Sequence, residues 1–517
     1  MWQNNVADGL DSNIGMEDDE SPDNKSDSLN KNMNITTVGF LLFLLITLFL
    51  FYMLPKVHKW KALLIAGLVF IAVTDIRGII FIVLTAFSIW QAGLHMDKGN
   101  PKKGKVILLI TMFFNLGILF ALKYLTPFLN STLLADNKLN ILVPLGISYY
   151  TLQAISYILD VYWERTEAEK NFFKVLLFVS YFPQMLQGPI NRYKDLSSEI
   201  YEKDHTFDLS NIASGGQLMI WGYFKTLVIS EYIGGYVRSI FHSGQTAYGL
   251  TVFFGFVLFG IQLYTNFSGG IDIVRGVSEC FGIILPDNFR QPFFSKSLGE
   301  FWRRWHITLG AWMKDYVFYP FSMSSAVSKT KKKLKKHVSR RMANRIPIAV
   351  ANVVVFLIVG IWHGFGTNYA LWGLYNGIIL GASEILADYF VKTKKKLKIN
   401  ESSKSWNIFC LVRTFVIVTL GWCTDCATSA AGSFALLRNM LNIGMTDFAL
   451  MNIGIGGIIR VGILIYVGIL HEKNISIREK ISEKNTAFQV LFWIIVIQAI
   501  VGFGVLGSGG GFMYADF

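Results

Sequence analysis

The chain has 517 residues, of which 52% are hydrophobic, 15% are aromatic and only 16% are charged. Because a soluble domain carries about 25% charged residues, this composition excludes an ordinary water-soluble protein and predicts an integral membrane protein. The net charge of +13 is concentrated in short loops and forms no patterned basic face, so we expect no nucleic-acid partner.

Residues 1–37 differ in composition from everything that follows. They contain eight acidic residues, two lysines and hardly any aromatic or β-branched side chains. A polar, acidic segment of this kind cannot bury enough apolar surface to fold, so we predict a disordered tail. It also lacks the basic start and the small-residue cleavage site of a signal peptide.

Apolar segments long enough to cross or dip into a bilayer, which takes about 20 residues for a full crossing, then follow one another along the chain. They lie at 38–54, 106–125, 141–162, 172–190, 212–233, 248–268, 347–366, 369–391, 407–422, 455–470 and 487–507. The stretch 62–95 is interrupted at 75–78 and is too short for two full crossings, so we predict two half-depth helices there. The expected fold is an all-α polytopic membrane protein with roughly 10–12 transmembrane or re-entrant helices.

Basic residues set the expected orientation, because cytoplasmic loops of membrane proteins are enriched in Lys and Arg. Lysines follow the first apolar segment and the acidic tail precedes it, so we place the N-terminus outside. Residues 329–345 hold nine Lys or Arg and no acid, and residues 392–404 hold six lysines and one glutamate. Both loops should be cytoplasmic and close to anionic lipid, and residues 346–391 between them suit an out-and-back hairpin.

His363 lies in a long apolar run that contains no Asp, Glu, Lys or Arg. A helix starting near Pro347 would place it about 24 Å from the cytoplasmic surface. An ionisable group at that depth normally faces a bundle interior or a watery cavity and marks a functional site. The alternative is a histidine that only hydrogen-bonds between helices.

His306 lies in the segment FWRRWHITLGAWMKDYVFYP, residues 301–320. Read as one helix, this segment has an apolar stripe with most of its charged residues off it, which suits a membrane interface or a cavity wall. The stripe consists of Phe301, Trp305, Leu309, Trp312 and Tyr316. His306 itself stays open between helix packing and an active-site role.

Two histidines in membrane segments suggest a general base, because neutral imidazole can take a proton from a hydroxyl group at physiological pH. No nucleophile elbow, phosphate-binding loop or zinc-protease motif accompanies them. Cys423 and Cys426 have CxxC spacing without a second pair, so we expect structural thiols rather than a metal site. The pattern indicates chemistry with a base and a shaped cavity, without a metal or a nucleotide.

The segments WRRWHITLGAWMKDYVFYP and GIWHGFGTNYALWGLYNG resemble the two histidine motifs of the membrane-bound O-acyltransferase (MBOAT) family. PLGISYYTLQAISYILDVYW, SYFPQMLQGPINRY, GYFKTLVIS, LYTNFSGGIDIVRG and FGIILPDNFRQPF extend the similarity in consistent order. The resemblance implies a ring of helices around a central cavity over residues 38–507. It also implies that His363 is the catalytic histidine and His306 the second characteristic one.

We predict that six further residues line the donor site or the cavity. They are Trp302, Arg303, Arg304, Trp305, Trp362 and Asn266. Asn266 stands where many relatives have Asp, and Asn376 stands where many have His, which leaves the fine substrate specificity open.

The last residues, 508–517, form a predicted flexible tail ending in GGGFMYADF. This ending resembles that of the bacterial branch of the family, with Met513 in the place of an isoleucine. The resemblance implies that Tyr514 carries the acyl group transiently. The alternative is a frayed end with incidental aromatic residues.

The bacterial branch acetylates alginate or peptidoglycan, or transfers D-alanine to teichoic acid. The resemblance therefore implies a plasma-membrane enzyme that moves an acyl group from a cytoplasmic thioester to hydroxyls of an extracellular polysaccharide or cell-wall polymer. We expect the acyl group to be acetyl. We expect no bound cofactor, with acyl-CoA or an acyl carrier protein as donor and an extracellular acyltransferase- or esterase-like protein as partner. D-alanyl transfer to teichoic acid is one alternative, and a non-enzymatic transporter or export component is another.

Overall fold

The computed structural model describes residues 35–96, 99–132, 143–242 and 246–505. Most of the predicted acidic tail and the whole predicted C-terminal tail with Tyr514 lie outside these residues. Within them the chain is helical and contains no strand, apart from an isolated bridge between Phe289 and Trp305. The predicted all-α polytopic class is confirmed.

The first half of the chain forms helices α1 to α12. They are α1 Val38–Met53, α2 Lys59–Asp75, α3 Gly78–His95, α4 Pro101–Phe120, α5 Thr126–Thr132, α6 Ile147–Tyr162, α7 Phe172–Ser180, α8 Phe182–Gln187, α9 Tyr193–Ser197, α10 Leu209–Tyr223, α11 Glu231–Phe241 and α12 Leu250–Cys280. Wider π turns over Ala121–Leu125 and Phe224–Ser230 join α4 to α5 and α10 to α11, and a third, Ser198–Glu202, follows α9.

The second half forms helices α13 to α24. They are α13 Leu298–Arg304, α14 Ile307–Met313, α15 Tyr319–Ser322, α16 Ser325–Leu334, α17 Arg340–His363, α18 Thr367–Ile385, α19 Ala387–Lys396, α20 Lys404–Gly421, α21 Ala430–Met440, α22 Gly454–Glu472, α23 Ile477–Ser482 and α24 Thr486–Phe503. A π turn over Lys314–Phe318 joins α14 to α15. Short 3-10 turns lie at Lys56–His58, Pro292–Phe294, Trp422–Thr424 and Ile443–Met445.

Eight helices in the described part of the chain are long and apolar enough to cross a membrane, or nine if the pair α18 and α19, bent by 61°, counts as one span. Helices α2 and α3 are among them, so the prediction of two half-depth helices over 62–95 is wrong. The predicted position of the break is correct, but the break consists only of Ile76 and Arg77. Nearly all other residues of the stretch are helical, so both helices are longer than predicted.

Helix α12 is the central element of the fold. Its 31 residues extend over about 46 Å, well beyond the predicted segment 248–268. Val274 and Val277 near its end pack into a core formed by α1 to α3 and α6 to α8, whereas Phe256 and Leu263 pack into a second core with α11 and α13. One helix therefore joins the two halves of the membrane domain.

Helices α17 and α18 form the predicted out-and-back hairpin. Their backbones touch along a seam of glycines: a Cβ atom added to Gly360 would lie 2.3 Å from the Tyr369 carbonyl oxygen, and one added to Gly373 would lie 2.5 Å from that of Phe356. Only glycine permits this approach. The predicted start near Pro347 is wrong, because α17 begins about two turns earlier, where the Ser339 hydroxyl caps it.

Candidate active site

His363 is the last residue of α17 and points into the protein. Its side chain is 9% exposed, and its ring packs edge-on against Trp372, with the ring centroids 5.4 Å apart. The helix stops there because the next residue, Gly364, is fully extended. The deep imidazole therefore faces protein interior, as expected of an ionisable group in a membrane segment.

His306 lies at a break where we predicted a continuous helix, and that prediction is wrong. Helix α13 ends at Arg304, Trp305 is extended, and His306 adopts a left-handed conformation with φ of 48° before α14 begins. The break is held by a neighbouring segment, because Arg290 N donates to Arg304 O (2.9 Å) and Ile307 N donates to Asn288 O (3.0 Å). The apolar stripe is nevertheless buried along its whole length.

Asn288 fixes the geometry of His306, a role that we did not predict from the sequence. Its Oδ1 atom accepts from Thr308 N (3.0 Å) and Thr308 Oγ1 (2.9 Å), and thus caps α14 from outside that helix. The same oxygen lies 3.3 Å from His306 Nδ1. Because Oδ1 can only accept, Nδ1 carries the proton and Nε2 is the basic nitrogen of the ring.

Trp302 packs against the tryptophan that contacts His363. Its ring lies 5.2 Å from the ring of Trp372, which contacts His363, and its Nε1 atom donates to Asn376 Oδ1 (3.2 Å). His306 lies close enough to His363 to interact with it electrostatically. The structure therefore brings both predicted histidines and Trp302 into one aromatic cluster.

The other predicted residues divide into two groups. Arg303 and Arg304 line a cavity of about 450 Å³. Trp305, Trp362 and Asn266 are instead buried among neighbouring side chains. Trp305 packs with its ring centroid 5.1 Å from that of Phe289, so it stabilises the break before His306.

A second cavity of about 960 Å³ adjoins the first, because both are lined by Arg290, Gln291, His471 and Asn474. Its wall is largely apolar, with both aliphatic and aromatic side chains, and includes Asn288, the residue that holds His306. The larger cavity therefore extends from the arginine-lined pocket to the immediate surroundings of His306.

Ion pairs neutralise most of the charges in these cavities. Arg304 pairs with Glu472 (2.7 Å) and Glu300 (2.7 Å), and Lys225 pairs with Asp272 (2.7 Å). Arg275 and Arg478 are likewise paired, with Asp287 and Glu279. Among the described residues, Arg290 and Arg303 form no ion pair, whereas Arg304 has two carboxylate partners, so the three arginines and two glutamates that line the smaller cavity sum to a charge of +1.

Three buried N–H groups on the wall of the larger cavity have no acceptor in the described part of the chain. They are Asn288 Nδ2, Trp422 Nε1 and Trp493 Nε1. All three are donors, and a buried unmet donor costs about 1–3 kcal/mol. Because these atoms have almost no accessible surface, they lie behind the cavity wall, and a ligand could accept from them only after a local rearrangement.

The CxxC pair lies close to the helical hairpin, where Asn368 Nδ2 donates to Thr424 O (3.1 Å). Cys423 is buried and Cys426 is partly buried, and both are free thiols. Over residues 35–96, 99–132, 143–242 and 246–505 there is no group of three or more His, Cys, Asp or Glu side chains with the geometry of a metal site.

The region of the chain that contains the site is similar to known proteins. A sequence model described as MBOAT, membrane-bound O-acyltransferase family, matches residues 167–422, which include both histidines. The chain is 28% identical to a probable alginate O-acetylase of Pseudomonas syringae over 398 residues, 75% of this chain and 71% of the relative. It is 27% identical to a peptidoglycan O-acetyltransferase of Helicobacter pylori over 414 residues, 74% of this chain and 73% of the relative. It is 29% identical to a teichoic acid D-alanyltransferase of Bacillus subtilis over 367 residues, 67% of this chain and 85% of the relative.

Proposed function

The chain belongs to the membrane-bound O-acyltransferase family and is an O-acyltransferase, and on that premise we propose that it transfers acetyl from a cytoplasmic thioester to hydroxyls of an extracellular polysaccharide or cell-wall polymer. The observation that carries this proposal is the buried pair of His306 and His363, together with a large cavity whose wall includes Asn288, the residue that contacts His306. The transporter alternative is set aside, because the family is one of enzymes.

In the proposed reaction, His363 accepts the proton of the hydroxyl group as its oxygen attacks the thioester carbonyl carbon. The C–O bond forms, the C–S bond breaks, and the imidazolium returns the proton to the departing sulfur. His306, with Nδ1 held by Asn288, directs Nε2 toward the donor or toward His363. The surrounding tryptophans keep out water that would hydrolyse the thioester.

The two cavities support a donor that carries a phosphopantetheine arm. Arg290 and Arg303 suit its phosphate groups, because guanidinium binds phosphate through paired hydrogen bonds. The mainly apolar wall of the larger cavity suits the acyl group and the methylene groups of the arm. Both acyl-CoA and an acylated carrier protein contain this arm, and we propose acetyl-CoA as the donor.

Charge patterning supports entry of the donor from the cytoplasm. Two candidate spans, Lys404–Thr424 and Gly454–Glu472, separate the lysine-rich loop 392–404 from the cavity residue Asn474. Two crossings return the chain to the side on which it started, so this loop and the arginine-lined cavity share one side. The positive-inside rule assigns that side to the cytoplasm, in a plasma-membrane protein whose N-terminus is outside.

On the opposite side, we propose that Tyr514 receives the acyl group and passes it to an extracellular acyltransferase- or esterase-like partner protein. Tyr514 lies outside the described residues, and the proposal rests on the sequence resemblance. A phenolic ester is a good acyl donor, so a tyrosine suits a transient carrier.

The test is acyl transfer by the purified protein in lipid nanodiscs with radiolabelled acetyl-CoA, followed by mass spectrometry of the C-terminal peptide. We expect the wild type to acquire label on Tyr514 and His363→Ala to acquire none. His95→Ala is the matched control, because His95 is exposed at the end of α3. Transfer at the wild-type rate by folded His363→Ala protein would refute the assignment.

D-alanyl transfer to teichoic acid is the second candidate, and two observations favour it. A relative named as a teichoic acid D-alanyltransferase is 29% identical to this chain. Helix α16 and the residues up to 345 also form an exposed surface rich in Lys and Arg, which suits an acidic carrier protein. Mass spectrometry of acyl groups released from the polymer by base separates the candidates, since it yields acetate in one case and D-alanine in the other.

A further inference from the structure

A lysine lies inside an apolar helical run, Pro101–Leu129, that qualifies as a membrane span. It lies near the end of this run that is remote from the basic residues at its start and is partly buried in protein, and a lysine within a membrane segment normally has a specific partner. Building on the proposed acyl transfer, we infer that this residue, Lys123, is a positioning residue that holds the end of α17 and thereby sets the position of His363.

The contacts of Lys123 converge on the residue next to His363. Its Nζ atom donates to Trp362 O (2.7 Å) and to Ser148 Oγ (3.0 Å), and it lies 5.5 Å from the centroid of the Trp362 ring. It is also close enough to His363 to interact with it electrostatically. These contacts join two helices that are 239 residues apart in sequence.

Tyr124 extends the same contact to the preceding residue. Its hydroxyl group donates to Ile361 O (2.7 Å) and approaches Trp362 O (3.3 Å). The last carbonyl groups of a helix have no partner within it, and a cation near them interacts favourably with the helix dipole. Lys123 and Tyr124 therefore act together as a C-terminal cap supplied by another helix.

The cap is formed where α4 departs from regular geometry. Lys123 and Tyr124 both lie in the π turn Ala121–Leu125, and single π turns within helices occur frequently at functional sites. Both α4 and α17 begin in segments rich in basic residues, at Pro101 and Arg340. Lys123 and Trp362 are each about 33 Å along their helices, so the contact joins helices at matching depth.

His363 depends on this cap because its own helix does not continue beyond it. After Gly364 the chain turns into α18. The position of the imidazole therefore depends on how the carbonyl groups at 361 and 362 hold the end of α17, and on the packing of the ring against Trp372. Without Lys123 the last turn of α17 should loosen and displace the ring. Donor binding, which the cavities near Arg290 support, should be unaffected.

The experiment measures steady-state transfer from acetyl-CoA by Lys123→Met protein in nanodiscs. We expect kcat to fall by about 30-fold, because displacing a catalytic group by about 1 Å costs on the order of 100-fold, while KM for the donor stays within about 2-fold. Lys105→Met is the matched control, because Lys105 lies on the same helix but is exposed. Lys123→Ala should regain activity with ethylammonium, which can donate hydrogen bonds, but not with tetramethylammonium, which cannot.

The outcomes separate this inference from the proposed function. If wild-type protein transfers no acyl group from any thioester, the proposed function fails. If wild type is active and Lys123→Met matches Lys105→Met, the inference is wrong. If Lys123→Met protein does not accumulate, Tyr124→Phe provides the test, because it removes only one neutral hydroxyl group. A fall in kcat of about 5-fold would support the cap, and an unchanged kcat would overturn it.

Discussion

Replacing Gly360 by alanine should displace His363 without touching it. The added Cβ atom would lie 2.3 Å from the Tyr369 carbonyl oxygen, whereas ordinary van der Waals contact begins near 3.4 Å. Helices α17 and α18 must therefore separate locally by about 1 Å. The obstructing atom is backbone and cannot rotate away. His363 follows one turn later on the same helix, so its distance to Trp372 should change.

A 1 Å displacement of a catalytic group costs on the order of 100-fold in rate, and we expect a loss of that size. Overpacking costs about 1–3 kcal/mol and alanine regains about 0.5–1 kcal/mol in helix propensity, so the net destabilisation should be about 0–2.5 kcal/mol.

The assay compares acyl-transfer rates and thermal unfolding midpoints of Gly360→Ala and Gly117→Ala proteins. Gly117 is a control because a Cβ atom added there would meet nothing within 4 Å. We expect the control to be as active as wild type and slightly more stable. A Gly360→Ala protein with a transfer rate within about 2-fold of the control would show that the seam does not position His363.

Two further substitutions test other parts of the structure. Asn288→Ala leaves the two donors of Thr308 without their acceptor at a cost of about 2–6 kcal/mol, so both the unfolding midpoint and the transfer rate should fall. An unchanged midpoint would contradict the capping of α14 by Asn288. Asp425, which follows the span Lys404–Thr424, has its pKa raised by burial from 3.8 to about 7. The folded protein therefore retains a proton that the unfolded chain loses, and stability should decrease as pH rises from about 4 to 7. Asp425→Asn should flatten this dependence of the unfolding midpoint, and a curve identical to wild type would refute the assignment.

Local composition was sufficient to predict much of the membrane domain. Apolar runs located most of the long helices, because burial in lipid or protein requires such runs whatever the helix contacts. The basic loops at 329–345 and 392–404 predicted the hairpin of α17 and α18, since they mark two ends on one side of a membrane. The length of α2 and α3 was underestimated, because a two-residue break was taken to remove more of the helix than it does.

The site depends on contacts that sequence spacing does not reveal. The stripe from Phe301 to Tyr316 fits a continuous helix, and the break at His306 arises from pairing with residues 288–290. Asn288 and Lys123 were missed for the same reason, because their partners lie 20 and 239 residues away. A charged residue inside an apolar run was the one available signal for Lys123.

The glycine seam between α17 and α18 has a consequence for how the reactants meet. Because the backbones of α17 and α18 are in direct contact, we expect the hairpin to be rigid. The imidazole at the end of α17 should then stay at one depth during turnover. In the proposed reaction the reactants would then move to the imidazole, the thioester through the larger cavity and the hydroxyl from the opposite side. A different acyl group or polymer would then be accommodated by changes in the residues that line the paths of the reactants, while the hairpin of α17 and α18 stays unchanged.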